Sequence, residues 1–281
     1  MKLGRNYIVT ITTDSGYSVT VEPPFSVEFT VDRSMRASVN NCTMTLYNLK
    51  ESVRNNLYKD KYSLTAYWPM TIMAGYGDNL YQLFQGNITE CYSVKQNTEW
   101  QTKITAYDGS YQINNGFIAT AFSSGTNKTD MIKQFVAAMP NLALGALGSS
   151  VSGSSDRGYV AIGNPFDNIQ ELSENTGFID NEKLNILGNT EVLKGDVFVL
   201  DSGVLFETPQ RRDAYLELNT LFAPEIQIAR IVEIQSEFTK FNGQYQCWGI
   251  KHNFQYLGNM GGKADTTLSL NAGAKVFQEV S

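Results

Sequence analysis

The side chains best suited to nucleophilic or metal chemistry here are one histidine and three cysteines, and their spacing decides what they could do. His252 lies inside an alternating stretch at 245–254, five residues from its nearest sulfur, Cys247. On a regular strand an odd offset sends two side chains to opposite faces, which argues against a Cys–His dyad. A tetrahedral zinc site needs four ligands at close spacings, and one histidine with Cys42, Cys91 and Cys247 offers none. Three widely separated cysteines suit buried, reduced thiols better than a disulfide framework.

Two pairs of acids have the spacing for general acid–base work, Asp180 with Glu182 and Glu171 with Glu174. The first pair falls in a polar turn and the second on the outer face of a predicted helix, so both are expected to be solvated. The run Gly145-Ala146-Leu147-Gly148-Ser149-Ser150 lacks the lysine and the preceding strand of a phosphate cradle. No Gly-x-Ser-x-Gly elbow occurs between a strand and a helix. Arg211-Arg212 is too small a basic spot for a nucleic-acid patch, and a net charge of -6 disfavours non-specific grip on phosphates. The expectation is a non-enzymatic protein with no catalytic, cofactor-binding or metal residues.

The elements that would position these residues are mostly strands. Phe25, Val27, Phe29 and Val31 alternate with Ser26, Glu28, Thr30 and Asp32, the pattern of a half-buried antiparallel strand. Cys42, Met44 and Leu46 repeat it. A short helix is predicted over 49–57, with Asn48 as its N-cap. Strands follow at 63–67 and 71–76. A long hairpin then runs from 83–94 to 100–107 through Lys95-Gln96-Asn97-Thr98.

The middle of the chain differs. Thr126 or Asn127 can cap a helix whose apolar stripe is Ile132, Phe135, Val136 and Met139, with Pro140 at its end. The stretch 145–158, rich in Gly and Ser, is predicted to be a mobile loop. A second helix has Asn164 as N-cap, Pro165 in its first turn, Ile169 and Leu172 inward and Gly177 beyond its end. Phe178-Ile179 and 184–187 are expected to form a hairpin, and 197–200 with 204–207 another. Strands return at 215–218, 227–233, 245–254 and 266–270, with Asn242-Gly243 as a turn.

The chain of 281 residues is long enough for about two domains. The expected organisation is mainly β, with two β-barrel or sandwich domains at 1–112 and 213–281 flanking an inserted α/β region at 113–212. That insert carries helices near 127–139 and 165–176. No apolar run resembles a signal-peptide core or approaches the ~20 residues of a spanning helix. A cytosolic product with no membrane span is therefore expected.

Several phrases occur in a telling order. Phe29-Thr30-Val31 precedes Asn40-Asn41-Cys42-Thr43-Met44-Thr45-Leu46-Tyr47-Asn48-Leu49 and Arg54. Met73-Ala74-Gly75-Tyr76, Leu83-Phe84-Gln85-Gly86-Asn87-Ile88 and Ile104-Thr105-Ala106-Tyr107-Asp108-Gly109 follow. In this order they resemble the baseplate, or tail-tip, hub proteins of tailed bacteriophages. Arg157-Gly158-Tyr159-Val160 leading into 164–177 looks like the helix of the inserted hub domain, and 178–186 like the hairpin after it. Residues 218–224, 243–252 and 266–270 look like the closing barrel. Ala223-Pro224-Glu225 departs from the family pattern, which has a glycine after the proline.

The resemblance implies a homotrimer in which each subunit supplies two tail-tube-like barrels to a pseudo-sixfold ring. One face would meet the tail tube or a distal tail protein, and the other the central spike or tip. The lumen would pass the tape-measure protein and the genome without specific DNA binding. The product would be made in the host cytoplasm and reside in the virion. Rival expectations are a peptidoglycan- or carbohydrate-active tail-tip enzyme, a porin and a carbohydrate-binding adhesin. The missing signal sequence and the two capped helices count against the porin.

Overall fold

The computed structural model describes residues 4–36, 39–258, 261–273 and 277–280. The first block consists of β1 (Arg5–Thr12), β2 (Ser18–Val21), β3 (Val27–Ser34), β4 (Asn40–Tyr47), α1 (Glu51–Asn56), β5 (Pro69–Tyr76), β6 (Asn79–Gln96) and β7 (Glu99–Asp108). The middle follows as α2 (Ser110–Asn115), β8 (Ile118–Phe122), α3 (Lys128–Ala137), β9 (Ala143–Leu147), β10 (Tyr159–Gly163), α4 (Pro165–Leu172), β11 (Gly177–Asp180), β12 (Lys183–Ile186), β13 (Glu191–Leu193) and β14 (Phe198–Asp201). The last part holds β15 (Gln210–Arg211), β16 (Tyr215–Leu221), β17 (Ile231–Gln235), β18 (Gly243–Tyr256), β19 (Ala264–Asn271) and β20 (Gln278–Val280).

The chain is mainly β, and the blocks at its two ends share one sheet. Its path runs β15-β16-β19-β18-β3-β4-β7-β6-β5-β1-β2, with β17 and β14 attached beside β18. The connection between blocks is β3 against β18, antiparallel from Val27↔Tyr256 to Ser34↔Gly249. Phe29 and Phe254 face each other across it and stack at 4.8 Å with an interplanar angle of 12°. Such a pair adds about 0.5–1.5 kcal/mol beyond its area burial. Phe222 and Phe254 from the last block sit in the same core as Val9, Phe29, Ile72 and Phe84.

The alternation seen in the sequence is the alternation of burial. Val27, Phe29 and Val31 are buried on β3, whereas Phe25 lies before the strand and is exposed. Both predicted middle helices, α3 and α4, form with side-chain caps. Asn127 accepts the Thr129 N–H in α3, and Asn164 accepts the Phe166 N–H in α4. Ile132, Phe135, Val136 and Met139 are buried with Phe166 and Ile169 in a core of their own. The second helix stops at Leu172, because Glu174 and Asn175 adopt left-handed φ of 56° and 61° well before Gly177.

Several local expectations are corrected. The glycine- and serine-rich stretch 145–158 is only partly loop. It contains the end of β9 and a 3-10 turn, Ser149–Val151, with Val151 fully buried. Its glycine serves close approach, since a Cβ on Gly148 would lie 2.0 Å from Glu191 Oε2. Asn48 does not cap α1, which begins at Glu51. It takes φ 53° and accepts the Trp100 N–H at 3.0 Å. Residues 63–67 form turns, and the strand begins at Pro69.

Residues 197–200 do not pair with 204–207. Instead β14 lies parallel to β17, while Leu205 bridges Thr220 of β16. Asn242-Gly243 is not a two-residue turn either. Asn242 closes a longer connection by exchanging side-chain bonds with Ser236.

Candidate functional site

The most connected polar cluster sits where the β11–β12 hairpin meets the sheet. Arg33, Asn40 and Asp108 lie at one end of three adjacent strands, β3, β4 and β7, with Asn40 directly opposite Asp108. All three are buried. The hairpin pairs Asp180 with Lys183, so Asn181 and Glu182 form its two-residue turn, at φ 52° and 58°. Left-handed φ at both positions is the geometry that suits the twist of a tight hairpin.

Asp108 clamps this turn. Its carboxylate accepts the backbone N–H of Asn181 at 2.6 Å and of Glu182 at 2.9 Å, satisfying two donors that the turn leaves buried. Burial first, and then Asp180 beside it, push the Asp108 carboxyl up to about 8, while the two N–H bonds pull the other way. Gly109 follows at φ 90°, where a Cβ would meet Ile179 Cδ1 at 3.1 Å, so its missing side chain lets the hairpin seat.

The other tip carboxylates are equally committed. Asp180 pairs with Arg33 Nη1 at 3.3 Å and accepts Asn40 Nδ2 at 3.3 Å. Glu182 accepts the Tyr67 hydroxyl at 2.5 Å, Gln85 Nε2 at 2.8 Å and Gln112 Nε2 at 3.0 Å. Those donors come from the chain before β5, from β6 and from α2. Burial, and then the bond to Glu182, hold the Tyr67 hydroxyl well above the usual phenol range.

The expected solvated turn is therefore a buried plug. Glu182 is only 6% exposed and Asn181 is half-buried. A signal for this lies in the hairpin arms, whose Phe178-Ile179 and Leu184 to Ile186 are buried without alternation. Consecutive apolar positions belong to strands covered on both faces, which leaves no solvent side for the turn to follow. Glu171 and Glu174 are exposed as expected, and Glu171 accepts the Tyr159 hydroxyl. Arg211 and Arg212 are exposed, with Arg212 paired to Glu217 at 3.0 Å.

His252 and the cysteines are placed differently from the parity argument. Cys247 pairs with Leu270, Ile250 with Leu268 and His252 with Thr266, with a register shift between Cys247 and Gly249. That bulge inserts one residue, so Cys247 and His252 share a face despite their odd offset. They still form no dyad. Cys247 Sγ donates to the Gly249 carbonyl, and His252 Nδ1 meets Thr266 Oγ1 at 3.0 Å. Burial, and then Arg33, hold the imidazole well below its ordinary value and so neutral. All three thiols are buried, and burial pushes Cys91 and Cys247 up to about 12. Among the described residues no group of three or more His, Cys, Asp or Glu could hold a metal ion.

A cleft of about 830 Å³ lies between the middle segment and the sheet. Arg36, stacked on Trp248 at 3.7 Å from the ring centre, lines it together with Asp167 and Glu174. No helix among the described residues is long and apolar enough to cross a membrane.

The family model described as "Baseplate hub gp41" matches residues 7–256. The chain belongs to the baseplate hub gp41 family. It is thus a structural protein of the phage baseplate, a component of the virion. Solved structures show the fold at low identity. The 43 kDa tail protein of prophage MuSo2 from Shewanella oneidensis is similar with a TM-score of 0.61 at 9% identity, covering 94% of this hub and 97% of that chain. The tail protein from Neisseria meningitidis MC58 matches with a TM-score of 0.61 at 9% identity, over 97% and 98%. A chain of the lidless PdpA-VgrG complex gives 0.60 at 9% identity, covering 99% of this hub and 67% of that chain. A search of curated proteins finds no match to the sequence. The hairpin plug is the device that docks the middle segment onto the hub's large sheet.

Proposed function

We propose that this hub is a non-catalytic wall segment, three copies of which close into a ring joining the tail tube to the central spike. The ring encloses the channel for the tape-measure protein and the genome. Within each subunit, 1–112 and 213–281 act as two tube-like units, and 113–212 is the insert that braces them. The observation that carries this reading is the β3–β18 seam, which makes the two units one continuous sheet. A ring wall under the load of attachment and ejection needs stiffness of that kind, since load across a ladder is shared by many backbone bonds.

Further support comes from the ends of that sheet. β2 and β15 terminate its path, and a neighbouring copy would cover such edges in a closed ring. An acidic chain of net charge -6 suits a lumen that DNA passes without adsorbing. The likeness to a chain of the PdpA-VgrG complex supports a spike-side partner. Electron microscopy of the protein mixed with its tube and spike subunits tests this reading. Ring views with an open centre and threefold repetition are expected, and solid particles or unmixed components would count against it.

A further inference from the structure

Two buried side chains on one face of the sheet leave three polar atoms without a protein partner among the described residues. They are Arg33 Nε, Arg33 Nη2 and His252 Nε2. Arg33 is 1% exposed and His252 is fully buried. Arg33 faces Ile250 across the β3–β18 seam, and His252 faces Val31. The two residues are therefore diagonal neighbours on the same side of the sheet, within reach of long side chains. Cys247, brought to that side by the bulge, feels the same guanidinium.

Arg33 uses only Nη1, on the two oxygens of Asp180 at 3.3 and 3.5 Å. A close guanidinium–carboxylate bond is about 2.7–2.9 Å, so this pair is loose. A buried guanidinium left with its side-on fork unpaired is costly, and buried polar groups with no protein partner are typically met by ordered water. The electrostatics select the ligand. Asp180 already supplies the carboxylate against Arg33 Nη1, so a second anion is disfavoured. A neutral molecule able both to accept and to donate fits all three atoms.

We propose that Arg33 Nε and Nη2, together with His252 Nε2, hold buried ordered water at the seam between the two blocks. The water oxygen accepts from the guanidinium, and a water hydrogen is donated to His252 Nε2. This arrangement keeps the histidine proton on Nδ1, which donates to Thr266 Oγ1, itself the acceptor of the Ala223 N–H. The neutral imidazole that burial and Arg33 enforce is the form able to accept at Nε2. On the hairpin side Asn181 Oδ1 is a further buried acceptor without a partner among the described residues, beside Asp180. The seam is thus wet toward its Ser34–Gly249 end and stacked by Phe29 and Phe254 farther along.

Two measurements on the wild-type full chain test this, so neither depends on a variant folding. A crystal structure that orders solvent should show density within hydrogen-bond distance of Arg33 Nε or Nη2 and of His252 Nε2. The same crystals soaked in bromide should show no anomalous peak there. Because His252 is the sole histidine, selective 15N labelling should give one neutral Nδ1–H tautomer, with cross-relaxation from water to its ring. A bromide peak at Arg33 would replace water by an anion and overturn the proposal. So would a fork bonded to protein atoms, an Nε2–H tautomer, or a ring with no water contact.

Discussion

Replacing Asp108 by asparagine should change how stability depends on pH. In the native chain the carboxylate accepts both turn N–H groups, at 2.6 and 2.9 Å, in a site where burial and Asp180 push it up to about 8. An unfolded aspartate titrates near ~3.9. A folded value above the unfolded one means the native state holds the proton more tightly. Stability from this group is then fully present below about 4 and is lost as pH rises through about 8. Asparagine does not titrate, keeps one acceptor oxygen and sets an NH2 against a donor N–H, so at pH 5 D108N should be less stable by about 1–3 kcal/mol. Between pH 5 and 8 the wild type should lose a few kcal/mol that the variant does not, on the order of 1.4 kcal/mol per pH unit. The gap should therefore narrow or reverse. Urea denaturation of both proteins across that range reads it directly, because carboxylates remote from Asp108 cancel in the difference. A gap that is flat, or that widens with pH, would refute the placement of the proton.

Lys59 is buried, with Nζ donating to the carbonyls of Ala66 and Ile88 at 2.5 Å, and burial lowers it to about 8. A folded value below the unfolded ~10.4 means stability rises with pH between those values, and Lys59→Met should abolish that rise in alkaline denaturation curves. The three buried thiols should ignore a water-soluble thiol reagent in the native protein and all react after unfolding; fast reaction of any one would contradict its burial. Phe135→Ala should cost about 3–5 kcal/mol and act on the middle segment's own core. Hydrogen exchange should accelerate in α3 and α4 while the β3–β18 seam stays protected, and uniform loss of protection would show that the two cores unfold together.

What could be read from the sequence was whatever depends on local period and local chemistry. The strand alternation at 27–31, the stripe on α3, the Asn127 and Asn164 caps and the 178–186 hairpin all rest on residues within one or two turns of each other. The β3–β18 seam joins residues more than 200 positions apart, and no local pattern distinguishes it from any other strand edge. Parity failed at Cys247 and His252 because a bulge is one extra residue with no fixed sequence mark in this strand. From sequence Glu182 reads as solvated, because carboxylates usually are. Its partners Tyr67, Gln85 and Gln112 lie 115, 97 and 70 residues away, visible only once the chain is folded. At 145–158 composition is ambiguous, because Gly145 and Gly148 provide room for Asn185 and Glu191 whereas Gly153 takes a left-handed φ in open space.

The central claim is that this chain closes on copies of itself as a hub. Native mass spectrometry of the purified chain, alone and with its spike subunit, tests that most directly. The account predicts a species of three times the 31.3 kDa chain mass, present alone or formed when the spike is added. A chain that stays monomeric under both conditions would contradict it.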